Sequence, residues 1–146
     1  MSAFDADTFL DQEVEGANST QRLTCDEGVY DGIVDSLQVT PGEKDGRPWA
    51  RLAIMWSIID QGVLDTLKRD KAIVRQEFFL DLDDNGQIDM SEGRNVALGK
   101  VRKATGTNEG RFNLRMLEGR GAKVHVVKTV DKAGDPRNDV RSVAAA

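Results

Sequence analysis

One cysteine and one histidine are all that the 146-residue chain carries of either type. An internal disulfide is therefore impossible, and a zinc site built from several Cys and His ligands is excluded. Cys25 reads as a small buried hydrophobe. A Ser-His-Asp or Cys-His catalytic set has only His125 and Cys25 to draw on, and no glycine-rich phosphate loop is present. The chain is expected to be no enzyme and to carry no cofactor. It also lacks any apolar run approaching the roughly eighteen residues of a membrane helix. Its amino terminus, Met1-Ser2-Ala3-Phe4-Asp5-Ala6-Asp7, is acidic where a secretory signal is basic. A soluble, cytoplasmic protein with no membrane partner is expected. No internal repeat is found.

What is present suffices for one domain: apolar residues make up 39% of the chain, enough for one compact core. The net charge of −5 hides an uneven distribution. From Met1 to Asp31 the acids are Asp5, Asp7, Asp11, Glu13, Glu15, Asp26, Glu27 and Asp31, against the single base Arg22. From Ser91 onward Lys and Arg outnumber Asp and Glu by twelve to six. Residues 1–22, which end in the linker-like Gly16-Ala17-Asn18-Ser19-Thr20, read as an acidic flexible arm, and 23–146 as the folded domain. Such an arm is expected to compete with anionic ligands for the basic surface.

Strand signals organise the domain. Gly28 to Val39 reads as a first strand, with a bend at Gly32 and a turn at Thr40-Pro41-Gly42. Arg47 to Ile59 alternates cleanly: Ala50, Leu52, Ile54, Trp56 and Ile58 face inward, and Trp49, Arg51, Ala53, Met55 and Ser57 outward. Asp60 to Lys71 is a polar connection with room for a short helix, and Ala72 to Leu82 is a third strand. Ser91 to Ala104 places Ala97, Leu98, Val101 and Ala104 on one helical face, with Gly106 as its stop. Ala122 to Val130 and Asn138 to Val143 read as fourth and fifth strands. The fold class is therefore mainly β, a five-stranded OB-fold Greek-key barrel with one helix between strands 3 and 4.

Two constellations carry chemistry. Asp81, Asp83, Asn85, Gln87, Asp89 and Glu92 satisfy the calcium-loop pattern D-x-[DN]-x-[DN]-G-x5-E, with Gly86 at its turn. An EF-hand needs a helix on each side, yet Ile73, Val74, Phe78 and Phe79 precede the loop in strand-like order. Calcium binding is the alternative reading, and a Mg²⁺-dependent nuclease built on the same acids is a further one. The second constellation is aromatic and basic: Trp49 with Arg51, Arg75 with Phe79, and Lys123 with His125, each pair sharing a strand face. Bases stack on such rings while cations follow phosphates. Tyr30, Arg47, Arg111, Phe112 and Lys128 complete the candidate set, while Trp56 and Phe78 are assigned to the core.

Phe78-Phe79-Leu80-Asp81-Leu82, then Gly86-x-Ile88-Asp89, then the run from Gly93 through Thr105-Gly106-x-Asn108, resemble the central segment of bacteriophage single-stranded DNA-binding proteins. The resemblance extends from about Gly28 to Val143 and takes in Gly28-Val29-Tyr30, Gly46-Arg47-Pro48-Trp49 and Met116-Leu117-Glu118-Gly119. It implies an OB fold that coats single-stranded DNA without strong sequence preference, alongside phage replication or recombination proteins in the host cytoplasm. Self-association is left open. The carboxy terminus, Ser142-Val143-Ala144-Ala145-Ala146, departs from the acidic tail of bacterial single-stranded DNA-binding proteins, so tail-mediated recruitment is not carried over. A barrel serving only as a protein-interaction module is the other alternative.

Overall fold

The computed structural model describes residues 4–146, so Met1 to Ala3 of the acidic arm lie outside the described residues. Five strands form: β1 (Gly28–Lys44), β2 (Arg47–Ile58), β3 (Ile73–Leu80), β4 (Gly121–Val130) and β5 (Pro136–Ala144). They close into a barrel in the order β1-β2-β3-β5-β4, antiparallel throughout except for the parallel meeting of β3 and β5. This is the five-stranded OB-type barrel expected from the order of elements. Three short helices accompany it, α1 (Ala6–Leu10), α2 (Gln61–Leu67) and α3 (Val96–Thr105), with a 3₁₀ turn at Leu114–Leu117. Among the described residues no helix is long and apolar enough to cross a membrane.

The inward row of β2 builds the core. Leu52, Ile54, Trp56 and Ile58 are essentially sealed from solvent, and Val34, Val124 and Val126 meet them from β1 and β4. The Trp56 indole nitrogen donates to Gln76 Oε1 at 2.9 Å, so the largest core side chain leaves no polar atom unsatisfied. Ala53 keeps the expected outward parity yet is only 2% exposed. Its small side chain sits between Gln38 and Glu77 on the paired strands. Cys25 is buried as expected, and burial raises its thiol pKa above the usual range. Its backbone N–H and C=O both bond the Asn138 side chain, which ties the end of the arm to β5.

Two boundaries differ from the sequence reading. The first strand does not turn at Thr40-Pro41-Gly42; β1 runs through them, pairing Pro41 with Ala50 and Gly42 with Trp49. Beyond Ile33, β1 has β2 alone as a ladder partner, so a proline without an N–H is tolerated there. The reversal comes at Asp45-Gly46, both at positive φ (54° and 75°), as a two-residue hairpin of the I′ kind requires. The helix expected from Ser91 begins only at Val96, because residues 91–95 are held in a loop that ends with Asn95 in the left-handed region. Its buried stripe is Leu98, Val101, Arg102 and Thr105 with Ala104 at the margin, while Ala97 is exposed. The Arg102 guanidinium is buried through two hydrogen bonds to the Thr107 carbonyl and by lying 4.1 Å from the Phe112 ring centroid.

The arm does not pack through its apolar residues onto the barrel. Every residue from Phe4 to Leu23 is exposed, and Phe4 and Phe9 pack against each other with ring centroids 5.0 Å apart. Asp5 caps α1 by accepting the N–H groups of Asp7 and Thr8.

Trp56→Ala is expected to cost about 3–5 kcal/mol. That lowers the melting temperature by roughly 10–20 °C in a domain of this size. Thermal unfolding followed by circular dichroism measures it, and an unchanged midpoint contradicts this account of the core.

Candidate nucleic-acid interface

The alternation that buries the inward row of β2 sends Trp49, Arg51 and Met55 to the outer face. β3 does the same with Ile73, Arg75, Glu77 and Phe79, whose neighbours Val74 and Leu80 are buried. The antiparallel register sets Arg51 beside Phe79 and Met55 beside Arg75. Trp49 and Phe79 meet edge to face, with centroids 5.7 Å apart and planes at 72°. Phe79 stays 64% exposed, so a large apolar ring faces solvent beside a half-buried indole. Trp49 can lie flat because its cross-strand neighbour is Gly42: a Cβ there would stand 2.0 Å from Trp49 Cζ2 and 2.1 Å from Cε2. The sequence reading had spent Gly42 on a turn and so missed the seat of the indole.

Charge on this face is organised by Glu77. One carboxylate oxygen lies 3.2 Å from Arg51 Nε and the other pairs with an Arg75 guanidinium nitrogen. Arg51 Nε is buried but off the line of a hydrogen bond, so its donor is left unsatisfied. Two arginines share one acid, leaving the trio with a surplus positive charge. Such exposed pairs contribute about 0–1 kcal/mol each, so they hold side chains in place without binding them fast. Glu77 was legible from the same alternation, since it stands between Arg75 and Phe79 on the outward parity. Arg47 is exposed at the start of β2, beside the hairpin.

The remaining candidates lie elsewhere. Lys123, His125 and Lys128 are on β4, separated from the β2–β3 face by β1 on one side and β5 on the other. Lys123 Nζ is 2.5 Å from Asp31 Oδ1 and Lys128 Nζ 3.6 Å from Asp26 Oδ1, so both lysines face carboxylates of the acidic stretch. Tyr30 takes the inward parity with Gly32 and Val34, packs against the core, and donates its hydroxyl to the Asp26 carbonyl at 2.7 Å. Phe112 is half-buried under Arg102, while the adjacent Arg111 is exposed in the loop before the 3₁₀ turn. The structure thus gathers Arg47, Trp49, Arg51, Arg75 and Phe79 on one face and leaves the others apart.

In the acidic loop from Asp81 to Glu92 the carboxylates of Asp83 and Asp89 bond within the loop. Leu82 bridges Ile88 to form a small hairpin, Asp83 Oδ1 accepts the N–H groups of Asn85 and Gln87, and Asp89 Oδ1 accepts the N–H and hydroxyl of Ser91. The Ser91 hydroxyl, then its N–H, hold the Asp89 carboxyl below the usual range. Asn95 clamps the loop to the end of β3: it accepts the Asp81 N–H at 2.7 Å, donates Nδ2 to the Asp81 and Asp89 carbonyls, and donates its own N–H to Asp81 Oδ2. Among the described residues no group of three or more His, Cys, Asp or Glu is arranged to hold a metal ion. β3 stands where an EF-hand places its incoming helix.

No protein-family model matches the chain, and no curated protein matches it.

The loop is expected to show no micromolar or tighter affinity for Ca²⁺ in isothermal titration. Heat of binding at that level, abolished by Glu92→Gln, contradicts the self-satisfied geometry.

Proposed function

We propose that the protein binds single-stranded DNA without reading base sequence, using the outer face of β2 and β3 as its platform. The role is binding alone: coating and protecting single strands during phage replication or recombination, in the host cytoplasm, as the sequence resemblance implies. One observation carries the reading. An aromatic pair, the exposed Phe79 against the half-buried Trp49 seated on Gly42, stands beside two arginines that share a single carboxylate. Unstacked bases offer π-faces to such rings whatever their identity, and the arginines supply cations for the phosphates between them. Duplex DNA keeps its bases stacked and offers the rings nothing, so a single strand is the preferred ligand.

Fluorescence anisotropy of a labelled oligothymidylate tests this. Phe79→Ala should weaken binding by roughly 5- to 150-fold, equivalent to about 1–3 kcal/mol per stacked base, with little change in salt dependence. Arg51→Ala should flatten the log–log salt slope by about 0.7. Glu77→Gln should act in the opposite sense, tightening binding and steepening the slope, because it frees two arginines for phosphate. A well-folded Phe79→Ala protein that binds as the parent does removes the platform from the account. Phe79→Ala that spares DNA but abolishes a protein contact favours the protein-interaction module instead.

A further inference from the structure

The barrel closes least firmly where β3 meets β5. β2 and β3 pair in register from Ala50–Leu80 to Ser57–Ile73, whereas β3 and β5 share the single registered pair Arg75 and Asp139. Along this seam the surface opens into a groove of about 600 Å³. A second hollow of about 510 Å³ continues it through the shared residues Arg75, Arg137 and Asp139. Among the described residues the groove is lined by Arg22, Arg69, Lys71, Arg75 and Arg137 against the carboxylate of Asp139, and Glu77 joins the wall of the second hollow. These cations come from separate stretches of chain: the end of the arm, the connection between α2 and β3, β3 itself and β5. Their convergence on one seam was invisible in a linear charge count.

Most of them touch an acid: Arg22 Nη2 lies 3.4 Å from Asp131, Lys71 Nζ 2.5 Å from Asp35, Arg137 Nε 3.0 Å from Asp139, and Arg75 pairs with Glu77. The basic side chains remain 43–58% exposed, so these are rim pairs that an incoming anion can displace at small cost. A guanidinium has five N–H donors, and a single contact with a carboxylate leaves others for a ligand. Arg69 forms no ion pair among the described residues.

We infer that this seam is a phosphate track, which takes the sugar–phosphate backbone of the single strand whose bases stack on Trp49 and Phe79. The inference rests on the single-strand reading and extends its site beyond the β2–β3 face. Arg75 joins the two parts, since it stands on the outer face beside Glu77 and also lines the groove. Phe79 and Arg75 are four residues apart on β3, about 13 Å at the rise of a strand. About four stacked nucleotides, at roughly 3.4 Å each, cover that distance, and only a longer strand reaches Arg69 and Arg137. Arg22 forms part of the wall beside Leu23, so the last residue of the arm belongs to the site.

The test compares the parent, Arg69→Gln/Arg137→Gln, Arg69→Glu and Phe79→Ala for binding to an eighteen-nucleotide oligothymidylate over a salt series, with melting temperatures measured alongside. The double variant should keep its melting temperature, bind more weakly at low salt and flatten the salt slope by about 1.4, twice the single-strand increment. Arg69→Glu, at a side chain with no ion pair to lose, should weaken binding without destabilising the fold. If the parent binds and Phe79→Ala weakens it while both groove variants keep the parental affinity and slope, the track is wrong and the platform stands. If the groove variants behave as expected and Phe79→Ala has no effect, the track stands and the platform fails. A parent chain that binds no single strand overturns both.

Discussion

A barrel of only five strands has a narrow interior, and Trp56 occupies it. Barrel width grows with strand number, so at five strands the inward rows of side chains fill the interior completely. The indole fills that space from β2, and the neighbouring β1 carries Gly32 beside Val124 of β4, where a Cβ would stand 2.7 Å from Val124 Cγ2. Once Leu52, Ile54, Trp56 and Ile58 are committed inward, the period of two leaves Trp49 and Arg51 no choice but the outer face. A slip of one residue would exchange the core for the candidate site. The packing of the interior thus fixes the geometry of the exterior.

The alternation was readable from the residues alone, which is why the inward and outward rows of β2 and the separation of Phe78 from Phe79 were legible. Turn chemistry was read less well. Thr40-Pro41-Gly42 carries the residues of a turn, yet Pro41 is harmless where β1 has one ladder partner, and Gly42 serves to seat Trp49. The Asp45-Gly46 pair, adjacent in sequence, was the stronger hairpin signal. The helix start was obscured because Asn95 bonds to Asp81, fourteen positions earlier, and that tertiary clamp outweighs local propensity.

Spatial grouping was harder to read than facing. Parity tells that Lys123 and His125 share a side of β4, but the strand order places β1 and β5 between that strand and the β2–β3 face. The acids that follow the arm meet the basic carboxy-terminal third on the barrel: Asp26 and Asp31 stand against Lys128 and Lys123 on β4, while Arg22, Arg69, Lys71, Arg75 and Arg137 line a different surface. Net charge therefore says little about what this molecule binds, because local potential decides it. The calcium-loop pattern teaches the same lesson, since Asp83 and Asp89 match the template in sequence but accept N–H groups of the loop's own backbone in space.

In the proposed function one face of this acidic protein attracts a single strand through rings and cations together. A mobility-shift assay with single-stranded and duplex oligonucleotides of equal length, run over a salt series, tests it most directly. The account predicts binding of the single strand that weakens steadily with salt, and weaker binding of the duplex at every salt concentration. Failure to bind the single strand at low salt, or equal affinity for duplex, would contradict it.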